Sequence, residues 1–183
     1  DTTDIDNIDA GKIGFDTWNA SFGAHVHLGP HLFLGGSVAS TQRAPTDLEL
    51  FADGPHPATA QYEVGDSALK VEKGINTELS LRWEDDAFNI AGSVYRFDFD
   101  SFVYLEDTGA TDLGSSLPVF QYVQAGATFT GFELQGDAKL GSVFGVDWKA
   151  DASADFVRAK LDAGGNLPLI PPLTVNAGRE GEI

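Results

Sequence analysis

The chain contains no cysteine and no methionine. Without a thiol it forms neither a disulfide nor a thiolate metal site, and the cysteine count leaves the redox compartment open. Basic residues are scarce: 11 Lys and Arg stand against 28 Asp and Glu, for a formal net charge of −17. That balance repels a phosphate backbone, and no basic stripe with interleaved aromatics runs along the chain, which excludes nucleic acid as a partner. No segment approaches the roughly 18 consecutive apolar residues of a membrane-spanning helix. A membrane barrel escapes that test, because its strands show only alternation. The opening "DTTDIDNIDAG" has neither the basic n-region nor the apolar h-region of a signal peptide. With the missing methionine, it reads as the start of a processed or truncated piece.

What is present is alternation. The 183 residues are 42% hydrophobic, ordinary for a folded domain with a sizeable core. In "FDTWNASFGAHVHL", residues 15–28, Trp18, Ala20, Phe22, Ala24, Val26 and Leu28 fall on one face, and Thr17, Asn19, Ser21, Gly23, His25 and His27 on the other. Period two over such a length predicts a strand. After a tight turn at 29–31, Leu32, Leu34, Gly36 and Val38 continue the pattern, completing a hairpin. Further strands are predicted at 75–83, 88–107, 119–140 and 146–156, the faces separating least clearly near Arg96. The last is the plainest, with Val146, Trp148, Ala150, Ala152, Ala154 and Phe156 opposed to Asp147, Lys149, Asp151, Ser153 and Asp155.

The connections alternate too. Those at 29–31, 84–87 and 141–142 are short, whereas 44–74, 107–118 and 162–168 are longer and rich in Gly, Pro and Asp. Short turns at one end and long loops at the other are the plan of an outer-membrane barrel. A soluble antiparallel sandwich also alternates, because one sheet face meets a core and the other meets water. Several runs here exceed the roughly five or six residues usual for a soluble strand, which favours the membrane. Trp18, Trp83 and Tyr104 near strand ends suit an interfacial girdle.

The stretch "RAPTDLELFADGPHPATAQYEVGDSALKVEKGINTELSLRW", residues 43–83, resembles the part of TonB-dependent outer-membrane receptors where a strand ending in Arg-Ala-Pro enters an extracellular loop. The similarity continues through "VYRFDFDSFVYLEDTG", "LPVFQYVQAGATFTGFELQGDAKL" and "ADFVRAKLDAGGNLPLIPPL", and covers residues 15–178 in the family's order. The Gly-Pro-His element and the ending Leu167 to Leu173 are similar to the branch that includes zinc-uptake receptors.

The resemblance implies an all-β fold, an antiparallel up-and-down meander forming a partial sector of a large transmembrane β-barrel in the bacterial outer membrane. It implies that residues 1–183 belong to the barrel domain. There is room for about six or seven of the roughly 22 strands such a barrel has. The plug domain, the energy-coupling segment and the remaining wall fall outside the chain. The implied partners are outer-membrane lipid, the plug, the rest of the barrel and the TonB energy-coupling protein. The implied function is energy-coupled uptake of a scarce nutrient, an iron chelate or a metal ion such as zinc, which would be cargo and not a resident cofactor. A soluble β-sandwich ligand-binding module is the alternative.

Candidate ligand residues follow from chemistry. His25 and His27 lie two apart on one strand face, so their rings point the same way, as two ligands of one ion require. As lumen-facing polar residues near a periplasmic turn, they would equally serve water or a plug. His56 sits among Asp47, Glu49, Asp53, Glu63 and Asp66, and imidazole with carboxylates suits a borderline cation such as zinc. The bland reading is a solvated loop with one histidine; the functional one is a mobile, ligand-facing surface that packs no core. Asp4, Asp6 and Asp9 lack the spacing and glycine of an EF-hand and read as an exposed acidic segment.

Catalysis has little to stand on. "GSS" at 114–116 and "GGSVA" at 35–39 form no nucleophile elbow, and Glu133 with Asp137 share a strand face as most lumen-facing polar residues do. No Gly-rich phosphate loop opens a helix. The expectation is a receptor wall, not an enzyme.

Overall fold

A computed structural model describes residues 13–182, so the segment bearing Asp4, Asp6 and Asp9 lies outside the described residues. The elements in chain order are β1 (Ala20–His27), β2 (Leu32–Arg43), α1 (Asp47–Phe51), β3 (Asp53–His56), β4 (Gln61–Val64), β5 (Glu72–Glu84), β6 (Phe88–Thr111), β7 (Pro118–Val143), β8 (Val146–Leu161) and β9 (Thr174–Glu182). Strands β1, β2, β5, β6, β7, β8 and β9 pair antiparallel, each with the next, as one open meander. The predicted wall strands are all present. Most run longer than alternation alone indicated, and β9 had not been anticipated.

Register separates the two faces. One cross-strand row reads Val26, Leu34, Leu81, Gly92, Leu134, Ala154 and Val175; the adjacent row reads His27, Phe33, Arg82, Ala91, Gln135, Ser153 and Asn176. Successive residues of a strand point to opposite sides, so these rows face opposite ways. The apolar rows are not covered: Phe22 is 73% and Val175 67% exposed, and Leu79, Val94 and Leu134 are exposed beside them. Buried hydrophobics among the described residues are confined to Leu50, Leu69, Val103, Ala127, Ala159 and Leu167, none of which lies in that belt. In a sandwich the apolar rows would meet a second sheet. Here a single layer turns its apolar side outward, and the sandwich alternative fails on that arrangement.

The two ends differ as the connections implied. Turns at 28–31, 85–87 and 144–145 close one end; connections at 44–71, 112–117 and 162–173 span the other. The predicted turn at 141–142 is displaced. Phe144 and Gly145 take it, with φ of 54° and 80°, the positive values at both centres that a two-residue hairpin prefers. Gly141 sits instead at a register shift beside Lys139. Trp18 marks the outward face at the long-loop end, while Trp83, stacked 6.2 Å from Phe88, and Trp148 mark the opposite rim. Tyr104 does not join a girdle: it packs against the cluster of Ala127, Ala159 and Leu167, beyond the belt.

Blurring of the faces near Arg96 also has a structural cause. Below it Ile90, Gly92 and Val94 point outward; above it the apolar residues are Phe97 and Phe99, on the other side. The outward face has left the apolar belt at that level. Beyond it the β6–β7 hairpin rises past the end of β8, pairing as far as Thr111 with Pro118, and connections cover both its faces. Leu50 and Leu69 pack with Val103, Phe15 and Tyr122 on one side; Leu167 and Ile170 pack with Ala127, Ala159, Phe102 and Phe129 on the other.

This facing has a direct test. In the membrane-inserted protein, Ala152→Arg is expected to cost about 2–4 kcal/mol near the bilayer midplane, while Asp151→Asn on the other face changes little. Refolding titrations into lipid vesicles measure both. Equal costs would overturn the assignment.

Candidate functional site

The connection between β2 and β5 is folded from its first residue. Pro45 is buried, and Thr46 caps α1 in a reciprocal box: its hydroxyl accepts from the Glu49 N–H at 3.3 Å, and the Glu49 carboxylate accepts from the Thr46 N–H at 2.7 Å. Arg43 ties the beginning of the loop to its end. Its guanidinium donates to Glu49 at 2.9 Å and to Glu72 at 3.1 Å, and Glu72 accepts the Val103 N–H of β6 at 2.9 Å. Burial works to raise the Glu49 pKa, but the Arg43 hydrogen bonds and the Thr46 N–H outweigh it and hold the carboxylate below its usual value. Gly65 lets the returning chain press against the end of α1, since a Cβ there would meet Leu50 and Phe51 backbone atoms at 2.6 Å.

Within this frame β3 and β4 form a small hairpin, and β4 lies parallel to β7, pairing Tyr62, Glu63 and Val64 with Val119, Phe120 and Gln121. Gln124 holds the departing end, donating to the Lys70 carbonyl at 2.6 Å and accepting the Lys70 N–H at 2.8 Å. Glu63 is 4% exposed; the Tyr122 hydroxyl donates to it at 3.0 Å, and His56 Nδ1 lies 3.5 Å away. Burial, the bond to Glu63 and the nearby negative charge push the Tyr122 hydroxyl up to about 12.

The five loop candidates therefore separate. His56 and Glu63 meet, with the Thr59 hydroxyl 3.0 Å from the imidazole. Asp53 accepts from the Tyr62 hydroxyl at 2.8 Å, Asp66 accepts the Ala68 N–H at 2.8 Å, and Glu49 belongs to the Arg43 clamp. All five acidic and imidazole groups thus have partners within the loop, and the apolar packing of Leu50 and Leu69 corrects the expectation of a surface that packs no core. Tyr122 and Arg43 were not singled out from sequence. Tyr122 meets Glu63 across 59 residues and Arg43 meets Glu72 across 29, pairings that only register reveals.

His25 and His27 do share the inward face, with ring centroids 6.0 Å apart. His27 meets Phe33 edge-on at 4.5 Å, and the Arg82 guanidinium covers the same Phe33 ring at 4.7 Å. They border an open trough of about 820 Å³ whose far side carries Glu133 and Asp155, directly opposite each other on β7 and β8. His31 stands apart, bonded to the Glu84 carbonyl at the turn end. Among the described residues no three His, Asp or Glu groups converge as a metal site.

A family model described as TonB dependent receptor-like, beta-barrel, matches residues 1–181. The chain belongs to this family. Members of the TonB-dependent receptor-like family reside in the outer membrane of Gram-negative bacteria, which fixes the location of the sheet. Solved structures agree on the fold. The copper transporter OprC superposes with a TM-score of 0.72 at 23% identity, over 87% of this chain and 23% of that one. The siderophore receptor PirA from Acinetobacter baumannii gives 0.58 at 20% identity, over 87% and 26%. A ferric enterobactin receptor from Pseudomonas aeruginosa, solved with enterobactin, gives 0.57 at 19%, over 88% and 25%. The chain thus spans about a quarter of each of these TonB-dependent receptors.

The loop's attachment to the wall turns on one hydroxyl. Tyr122→Phe leaves the buried Glu63 carboxylate without its closest donor, with only the Thr59 hydroxyl and His56 at 3.5 Å, at an expected cost of about 1–3 kcal/mol to loop docking. Hydrogen exchange at the β4 amides reads the loss. In the unsubstituted protein the phenol's pKa is raised on folding. Its contribution is therefore complete below the ordinary value of about 10 and disappears as pH climbs through about 12. Protection unchanged by either perturbation would show that the backbone pairing alone holds the loop.

Proposed function

We propose that residues 1–183 form part of the barrel of a receptor that takes up a scarce nutrient with energy supplied through TonB. The observation that carries this reading is the single-layer wall: an apolar side for lipid, a polar side for a lumen, and elaborate connections at one end only. The first and last strands each keep an unpaired edge in the described sheet, so the remaining wall strands would continue from β1 and β9. A plug would occupy the inward face, and TonB would engage a part of the protein outside this chain. No step in this function requires bond-making chemistry from these residues.

The cargo is an iron chelate or a metal ion, in keeping with the copper and siderophore names of the structural relatives. Zinc remains within that class through the Gly-Pro-His element of the loop. Cargo contacts are assigned first to the β3–β4 hairpin, with His56 beside its tip, Asp53 and Glu63 nearer its open end, and Glu49 and Asp66 fixing its base. A second contact is assigned to His25 and His27 on the inward face. Two imidazoles and a buried carboxylate beside a third suit a borderline metal, whereas an organic chelate would engage mainly the hairpin's shape.

Ala52 and Gly65 are already joined by a hydrogen bond of 2.7 Å, so residues 53–64 can be excised with the junction nearly in place. The full-length receptor lacking them is expected to assemble normally and to lose most uptake, measured with radiolabelled metal and with labelled chelate. His56→Ala separates the cargoes: calorimetry should show weaker metal binding if the free ion is carried, and no change if a chelate is. Loss of barrel assembly on excision would make the hairpin a structural connection.

A further inference from the structure

We propose that the docked β3–β4 hairpin is a self-masked form of the loop: Tyr122 holds the Glu63 carboxylate against β7, and His56 and Glu63 take a cargo metal only after the hairpin swings off the wall. This regulation presupposes the reading above, in which the cargo includes a metal ion and these two residues contact it. Both oxygens of Glu63 are occupied. One accepts from the Tyr122 hydroxyl at 3.0 Å, and the other faces the Thr59 hydroxyl and His56 Nδ1, each at 3.5 Å. The same imidazole nitrogen lies 3.0 Å from the Thr59 hydroxyl. A borderline cation such as zinc takes about four ligands at roughly 2 Å. Asp53 stands three residues before His56, on the opposite face of the hairpin, where it accepts from Tyr62. One ion can therefore reach two groups on this face, and its remaining ligands must come from water or from the cargo itself. A carboxylate only 4% exposed admits neither.

The docking is built to be reversed. Within residues 53–64 Glu63 is the one buried residue, so no buried apolar side chain anchors the hairpin. Its backbone meets the wall through Tyr62, Glu63 and Val64, in parallel pairing, the less stable arrangement per residue. The base of the loop is fixed separately, by the Arg43 clamp, the Thr46 cap and the burial of Leu50 and Leu69. Between the two, the Gly65 N–H donates to the Ala52 carbonyl at 2.7 Å and closes the foot of the hairpin. The hairpin can leave while its base stays. Because Tyr122 and a cation compete for one carboxylate, the measured affinity is that of the open form scaled by the fraction of hairpins open.

Calorimetry of zinc binding to the purified full-length receptor provides the test. Tyr122→Phe is expected to tighten binding about tenfold, the opposite of what loss of a supporting residue would do. A disulfide formed by the double substitution Tyr62→Cys, Val119→Cys, at Cα partners of the parallel pair, keeps the hairpin docked. It is expected to weaken binding by about tenfold or more against a Tyr62→Ser, Val119→Ser control. In the unsubstituted receptor, saturating zinc should speed hydrogen exchange at the β4 amides and leave the Gly65 amide protected. Heat-resistant migration of the barrel in detergent gels checks that the variants fold. Zinc affinity unchanged or lowered by Tyr122→Phe, or added protection of β4 by zinc, would overturn the latch and leave His56 and Glu63 as metal contacts. Zinc binding that His56→Ala leaves unchanged would remove the metal reading itself, and the latch with it.

Discussion

A one-residue slip in any wall strand would exchange its lipid row for its water row, and every other feature of the sheet is arranged around that constraint. The belt tolerates no error because it has no second layer to hide one. The register shifts respect this. One lies between Lys139 and Gly141 at the short-turn rim, and another between Phe99 and Phe102, above the level of Arg96. Between those limits the rows run unbroken from β1 to β9. A bulge inside the belt would turn polar side chains into lipid for the rest of the strand; at either rim it turns them only into water.

Beyond the belt a different problem appears. The β6–β7 hairpin stands clear of its neighbours, and a lone two-stranded ribbon is at best marginally stable in water. Each face is therefore covered by a connection that brings its own apolar side chains. The β2–β5 loop contributes Leu50 and Leu69 on the side continuous with Phe132 and Leu134, and the β8–β9 connection contributes Leu167 and Ile170 on the other. Arg43 makes the first arrangement possible, because it bonds the loop's opening carboxylate and its closing one at once. The long connections are thus the hairpin's packing as well as its ornament.

Much of this was legible because lipid imposes alternation, and alternation is written locally. The wall strands from β1 to β8 and their facing could be read residue by residue from side-chain polarity. Strand β9 could not: its outward positions include Val175, Ala177 and Arg179, and its inward ones are broken by Gly178, too thin a contrast to signal a strand. The β3–β4 hairpin was hidden for another reason. Four-residue strands carry no period, and the partner of Glu63 is Phe120, far along the chain. At the candidate site the acidic residues were visible, but not their donors. Tyr62 and Tyr122 turn Asp53 and Glu63 from free ligands into acceptors already engaged, and only the register brings Tyr122 to Glu63. Tyr104 was misplaced because the shift between Phe99 and Phe102 moves it above the rim and inward.

Period two also explains how a chain of net charge −17 can offer cations to one environment and anions to another. The outward row-ends at the long-loop rim carry Lys73, Arg96, Arg158 and Lys160 with Asp98 among them, while on the inward rows Glu78, Glu133, Asp137, Asp151 and Asp155 outnumber the cations Arg82, Lys139 and Lys149. Glu133 opposes Asp155, and Asp137 opposes Asp151, directly across the β7–β8 ladder. Like charges so placed destabilise a sheet pair. They are tolerable where water or a basic partner reaches them, which is true of a lumen and not of a packed core. A helix would spread both signs around one cylinder, and a sandwich would have to bury one of these faces. An open wall keeps them on opposite sides of a single layer, so the acidity of its interior and the basicity of its outer rim can be set independently.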